Sequence, residues 1–201
     1  MKILFIHQNF PGQFKALAPS LAALGHDVYA LKISQKKSAD IFNNGIKIIS
    51  YVPQRSSSLK IHPWLLDFET KIIRGEACFD ASLSLKQDGF NPDLIIAHPG
   101  WGESLFLKNV WPNSKLVIYC EFFYQEKGFD VGFDPEFSST DSYTGCKLDM
   151  KNLYNLLQFS TADFGLSPTQ WQASSFPVDF KQRIKVIHEG IDTSLAFPSE
   201  K

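Results

Sequence analysis

The sequence predicts a doubly wound α/β domain, with a mainly parallel sheet of about seven strands and helices on both faces. Three observations carry that expectation. Short runs that are apolar on both faces recur along the chain, at 2–6, 28–33, 46–52, 94–97 and 116–120. Between most of them the apolar residues fall at helical spacing. Histidines, glycines, prolines and carboxylates follow the ends of the runs, where the loops of a parallel sheet gather.

Residues 2–6 are too few for a helix and read as a central strand. His7, Gln8, Asn9, Pro11 and Gly12 break the pattern, and Phe14, Leu17, Ala18, Leu21 and Leu24 then make one helical stripe. Pro19 lies within it and predicts a kink or a loose first turn. Gly25 ends the helix, and 28–33 is the second strand. Residues 35–44, with Lys36 and Lys37, read as a polar loop. Gly45 opens a third strand at 46–52, which Pro53 closes. Ser56, Ser57 and Ser58 mark a surface loop. From Pro63 the spacing of Leu65, Phe68, Ile72, Phe79 and Leu83 predicts a helix up to Gly89, with Gly75 as a bend.

The turn Asn91-Pro92-Asp93 leads into the fourth strand, 94–97, and a short helix is expected over 104–110. The fifth strand is 116–120. Residues 122–144 form a long aromatic and acidic loop, expected to be mobile and to shape a ligand pocket. Cys146, Met150, Leu153 and Leu157 define the apolar stripe of the next helix, and 162–166 is a sixth strand. Ser167 caps the following helix, with Pro168 at its first position and Gln170 as the capping-box partner. Residues 184–187 are the last strand.

A chain of 201 residues suffices for one large domain, or barely for two small ones, and 44% apolar with 14% aromatic residues is a globular composition. A formal charge of −1 carries no basic excess, so no nucleic-acid partner is expected. Cys78, Cys120 and Cys146 are odd in number and lack CxxC grouping; they read as reduced core thiols. Neither a signal-peptide apolar region nor a bilayer-length run is present, so a cytoplasmic location is expected. Leu59, Ile61, Trp64 and Leu65 beside Lys60 fit either weak peripheral contact with the inner face of the membrane or the buried start of a helix, and core packing is the preferred reading.

The carboxyl edge of the sheet collects His7 to Gln13, His98 to Glu103, Glu121, Ser167, His188 and Glu189. Gly12 either lets the backbone approach a phosphate or sugar or serves a tight turn; GxGxxG is absent. His98 has the chemistry to hydrogen-bond a sugar hydroxyl while Trp101 packs on the sugar's apolar face, or else it is structural. Glu121 is suited to act as acid, base or hydroxyl acceptor, or to cap a helix. Asp130, Asp134 and Glu136 lack the pattern of a calcium loop and read as a solvated acidic loop, so no metal is expected. The absence of GxSxG speaks against a hydrolase.

Taken together, Lys2-Ile-Leu-Phe-Ile-His7 with Pro11-Gly12, Leu17-Ala18 to Gly25-His26-Asp27-Val28, Asp93 to Glu103, Pro168-Thr-Gln-Trp171 with Phe176-Pro177, and Val186 to Asp192 resemble one family. It is the bacterial retaining glycosyltransferases of family 4, whose GT-B fold has two facing Rossmann-like domains. The resemblance implies that a sugar moves from a nucleotide-sugar co-substrate to a glycan, lipid-linked or small-molecule acceptor with retention, as in polysaccharide biosynthesis, without a permanently bound cofactor or metal.

It further implies that residues 1–190 are the N-terminal, acceptor-side half, and that 191–201 begin the linker to a C-terminal donor-binding domain. That partner domain would bring a basic pair and a Glu-x7-Glu motif; Glu69 and Glu76 are one residue too close to imitate it. Carried over, Pro11, Gly12 and Gln13 face the donor phosphates, and His98 is the catalytic histidine that contacts the transferred sugar. His188 to Asp192 lead to the second domain, with Glu189 in place of the commoner asparagine and Gly190 after it. Trp101, Glu103, Glu121 and Ser167 complete the expected substrate-binding set. Such a chain is expected to fold alone but not to catalyse. The alternative is a stand-alone Rossmann-type nucleotide-binding or regulatory module.

Overall fold

The computed structural model describes residues 1–36, 39–137, 141–194 and 196–198. Its strands are β1 (Lys2–Ile6), β2 (Asp27–Ile33), β3 (Ile41–Asn43), β4 (Ile46–Tyr51), β5 (Leu94–Ala97), β6 (Lys115–Tyr119), β7 (Phe164–Ser167) and β8 (Ile184–Val186). They form one eight-stranded sheet in the order β3-β4-β2-β1-β5-β6-β7-β8. Neighbours are parallel except β3 with β4. The winding reverses between β1 and β5, so the loops after Ile6 and Ala97 flank the switch point, where open α/β sheets take up ligands.

Burial on both faces explains the continuous apolar runs. Ile3 and Phe5 join Val28, Ala30 and Ile96 on one face, while Leu4 and Ile6 join Leu31, Ile95, Ala97, Leu116 and Ile118 on the other. The first face is covered by Phe10, Phe14 and the helix α1 (Leu17–Ala23). The second carries α2 (Leu66–Gln87), α3 (Leu107–Val110), α4 (Thr144–Thr161) and α5 (Gln170–Ser174), together with Phe180 from α6 (Val178–Lys181).

The eighth strand, β3, lies in the stretch read from sequence as a polar loop. Asn44 (φ 50°) and Gly45 (φ 76°) form the two-residue turn that folds it back on β4, a turn whose left-handed dihedrals suit Asn-Gly. Pro19 is the third residue of α1, where the missing N–H has no helical acceptor to lose, so the loose first turn is observed: a separate 3₁₀ turn, Gly12–Phe14, precedes the helix. Of the predicted stripe, Phe14 and Ala18 are buried but Leu24 is 74% exposed. Helix α2 begins after a 3₁₀ turn, Pro63–Leu65. Leu59 and Leu65 are exposed, which corrects the expectation that they pack in the core.

Helix α4 departs furthest from its pattern. Cys146, Leu153 and Leu157 face outward, and the buried side carries Asn152, Tyr154, Asn155, Gln158 and Phe159. Directional bonding selects this face: Asn152 accepts from the Tyr124 amide and donates to the Tyr124 carbonyl, Asn155 donates to the Phe122 carbonyl, and Gln158 donates to the Pro99 carbonyl. Cys146 is therefore not a core thiol, whereas Cys78 and Cys120 are buried. Residues 122–137 and 141–144 of the predicted loop are described and include a 3₁₀ turn, Pro135–Phe137. Residues 138–140 of that loop, and Lys37, lie outside the described residues.

The cap of α5 is Thr169, whose hydroxyl accepts from the Gln172 amide, and not Ser167. Ser167 pairs with Val186 as the last ladder residue of β7, which leaves the helix to start two residues later than the sequence suggested. The helix α3 starts at Leu107 and not at 104, because Ser104 is turned inward and its hydroxyl donates to Gln158. Among the described residues, no helix is long and apolar enough to cross a membrane.

Candidate functional site

Ring and carboxylate groups meet where the winding reverses. His7 leaves β1 and His98 leaves β5, and their ring centroids lie 5.3 Å apart at an interplanar angle of 68°. Both are 3% exposed. Each accepts a backbone N–H at Nδ1, His7 from Asn9 at 3.0 Å and His98 from Gly100 at 3.2 Å. An amide N–H only donates, so the proton of each neutral ring sits on Nε2.

Those Nε2 protons point toward one carboxylate. His98 Nε2 donates to Glu121 Oε2 at 3.2 Å; His7 Nε2 donates to Gln13 Oε1 at 2.7 Å, and Gln13 Nε2 donates to Glu121 Oε1 at 3.1 Å. Glu121, at the end of β6, is thus held on both oxygens while its side chain stays 39% exposed. The hydrogen bond from His98 holds its carboxyl below the ordinary value against the opposing effect of burial, helped by the wider electrostatic pull of His98, the Gln13 amide and His7. Burial in turn lowers the pKa of His7, so its ring is neutral at physiological pH.

Gly12 is required locally. Its φ is +47°, and a Cβ there would lie 2.3 Å from Cε1 and Nε2 of the His7 ring. Only hydrogen fits that space. The turn it makes brings Gln13 over Glu121 and, with Lys15, Ala16, Glu189 and Gly190, lines a cleft of about 370 Å³. Glu189 is tied to the sheet by the Tyr119 hydroxyl, which donates to its Oε1. Behind Glu121 lies a smaller cavity of about 40 Å³, bordered by His98, Phe122, Tyr124 and Asn155.

The structure therefore gathers Gln13, His98 and Glu121 into one network, with Pro11, Gly12, His188, Glu189 and Gly190 exposed along the same edge. His188 accepts from the Gly190 amide within its own turn. Trp101 is partly buried: its indole stacks one face on His98 at 4.5 Å and meets His7 edge to face at 5.0 Å. Ser167 is fully buried and donates to the Thr169 carbonyl, so it offers no ligand contact.

Glu103 does not reach the edge either. It is 1% exposed beneath α2, with neither carboxylate oxygen hydrogen-bonded among the described residues, and burial pushes its carboxyl up to about 7 despite the opposing pull of its own backbone amide, Arg74 and Lys71. Gly102 forces this placement. It has φ +98° and lies so close to Lys71 that a Cβ would approach that residue's carbonyl oxygen to 2.3 Å, which turns the next residue under the helix. Sequence reasoning passed over two members of the site. His7 was placed at the carboxyl edge but given no role of its own, and Tyr119 was read only as strand. The available signal was position: His7 and His98 are each the first residue after a central buried strand.

A mainly parallel sheet that reverses its winding between β1 and β5 defines a Rossmann-like domain of the kind found in GT-B glycosyltransferases. The profile of the glycosyl transferase family 4 group matches residues 24–196, and the chain belongs to that family. It is similar in fold to sucrose-phosphate synthase from Thermosynechococcus elongatus, with a TM-score of 0.55 at 16% identity, covering 94% of this chain and 88% of that one. It is also similar to the catalytic domain of starch synthase IV from Arabidopsis thaliana, with a TM-score of 0.54 at 13% identity over 96% of this chain and 52% of that one. The fold of MurG from Acinetobacter baumannii matches with a TM-score of 0.50 at 15% identity over 93% of this chain and 44% of that one. No curated protein sequence matches.

Proposed function

We propose that this chain is the acceptor-side domain of a glycosyltransferase that moves a sugar from a nucleotide-sugar donor to an acceptor hydroxyl with retention. The observation that carries the reading is Glu121, an ionised, half-exposed carboxylate clamped by His98 and Gln13 at the reversal of the sheet. A carboxylate with both oxygens pre-oriented and one side open accepts a hydroxyl hydrogen bond without reorganising. The buried His98 supports Glu121 from beneath, while Gly12, Gln13, Glu189 and Gly190 present a cleft to the donor.

The donor's base and diphosphate are held by a second domain, a reading supported by the chain's spanning 52% of the starch synthase domain and 44% of MurG. Residues 1–190 form the acceptor half and 191–201 open the linker. The acceptor is a glycan, a lipid-linked sugar or a small molecule. The protein works in the cytoplasm, in polysaccharide biosynthesis, with weak peripheral contact to the inner membrane face through exposed Leu59 and Leu65 beside Lys60. No metal or permanent cofactor takes part.

Calorimetry of residues 1–201 with UDP-, GDP- and ADP-sugars tests the division of labour. Binding weaker than ~1 mM, about −4 kcal/mol, is expected for this half alone. Micromolar binding without transfer would favour a stand-alone nucleotide-binding module.

A further inference from the structure

His7 is 3% exposed and cannot touch a ligand, yet it makes the shortest bond of the network, 2.7 Å to Gln13 Oε1. We propose that His7 is a positioning residue that fixes the orientation of the Gln13 amide and, through it, the orientation and charge of the Glu121 carboxylate. The assignment deepens the reading of Glu121 given above and rests on it only for its functional consequence.

The logic is one of donors and acceptors. Because the Asn9 amide occupies Nδ1, His7 presents N–H and not a lone pair at Nε2. The Gln13 carbonyl oxygen must then face His7, which turns its NH2 group toward Glu121 Oε1 at 3.1 Å. A flipped amide would set donor against donor at His7 and acceptor against carboxylate at Glu121, losing both bonds. Rotation of the His7 ring is opposed on every side. Phe14 and Trp101 meet it edge to face at 5.8 and 5.0 Å, His98 lies at 5.3 Å, and Gly12 leaves room for hydrogen alone. His98 repeats the device on the second oxygen, so that Glu121 is gripped from two strands at once.

Besides lining the cleft, the Gly12 turn seats the His7 ring and delivers Gln13. The test is the carboxyl titration of Glu121 and the ring nitrogen spectra of the histidines, followed by NMR in the full chain. In the wild type both His7 and His98 should carry the proton on Nε2. His7→Phe, which keeps a ring in the core, and Gln13→Met, at a half-buried position that spares it, should each raise the Glu121 titration by roughly half a pH unit. His7→Gln, which restores an N–H donor, should reverse much of the change.

A proton on Nδ1 of His7, or a Glu121 titration identical in wild type and Gln13→Met, would overturn the proposal. Sugar transfer is measured separately. A shifted titration with wild-type turnover would uphold the positioning role and refute Glu121 as the acceptor contact.

Discussion

His7 and His98 follow adjacent strands on the two sides of the sheet's reversal, and their rings meet at 68° with centroids 5.3 Å apart. Neither ring faces solvent. Their protons are directed at Glu121, His98 directly and His7 through Gln13, so the edge presents the carboxylate and keeps the imidazoles behind it.

Glu121→Gln is expected to lower transfer about a hundredfold in the full-length enzyme while changing the unfolding midpoint little, because the residue is partly exposed and the amide conserves its shape. His98→Ala should lose stability as well as turnover, by roughly 2–3 kcal/mol, since its ring is buried between Trp101 and Tyr119. Turnover and denaturant melts measured side by side decide this, and a fully active Glu121→Gln would remove the carboxylate from the mechanism.

On α4 the hydropathy pattern and the structure give opposite forecasts. Asn152→Leu adds an apolar side chain on the buried face but strands the amide and carbonyl of Tyr124, at a cost of about 2–4 kcal/mol. Leu153→Ser, at a position 36% exposed, should cost under ~1 kcal/mol. Chemical denaturation of the pair should separate them in that order; the reverse order would mean that the helix faces the other way.

Glu103 should make stability fall as the pH rises. Its folded carboxyl titrates at about 7 against an ordinary 4.5, so the folded state holds the proton more tightly than the unfolded chain. Its effect is absent below 4.5, grows as the pH rises through 4.5 to 7, and is complete above, at about 3 kcal/mol. Glu103→Gln should remove that decline. Melts at pH 5 and pH 8 that show the variant weaker than wild type at pH 8 would contradict it.

Asp163 has the opposite sign. Burial pushes its carboxyl up, but the Leu116 amide, Lys108 and Lys115 outweigh it and hold the group at about 2 against an ordinary 3.8. Its contribution, about 2 kcal/mol, is present above pH 4 and is lost as the pH falls through 2. Asp163→Asn should be destabilised at pH 7, and the gap to wild type should close in acid.

The strands at the centre of the sheet were legible because burial on both faces leaves an unbroken apolar run, and residues 94–97 were read with the bounds that β5 shows. Their carboxyl edge followed from parallel order alone, which is why Gly12, His98 and Glu121 were recognised as neighbours. The strand β3 was missed because Ile41 and Phe42 are exposed and short, although Asn44-Gly45 was a turn signal in plain view. The inward face of α4 was illegible for a different reason. Amides that bond to backbone across 28 to 59 residues of separation leave no local periodicity. Glu103 misled because residue type suggests chemistry, whereas the turn at Gly102 decides where the side chain goes.

The amides of Asn152, Asn155 and Gln158 grasp Tyr124, Phe122 and Pro99 by their main-chain groups. Main-chain groups are the same whichever side chain is attached. The path of the chain beside Glu121 is therefore fixed independently of what Phe122 and Tyr124 project from it. Substitutions at Phe122 and Tyr124 would change their own contacts, with Trp171 and Lys151, while the main-chain bonds to the three amides persist.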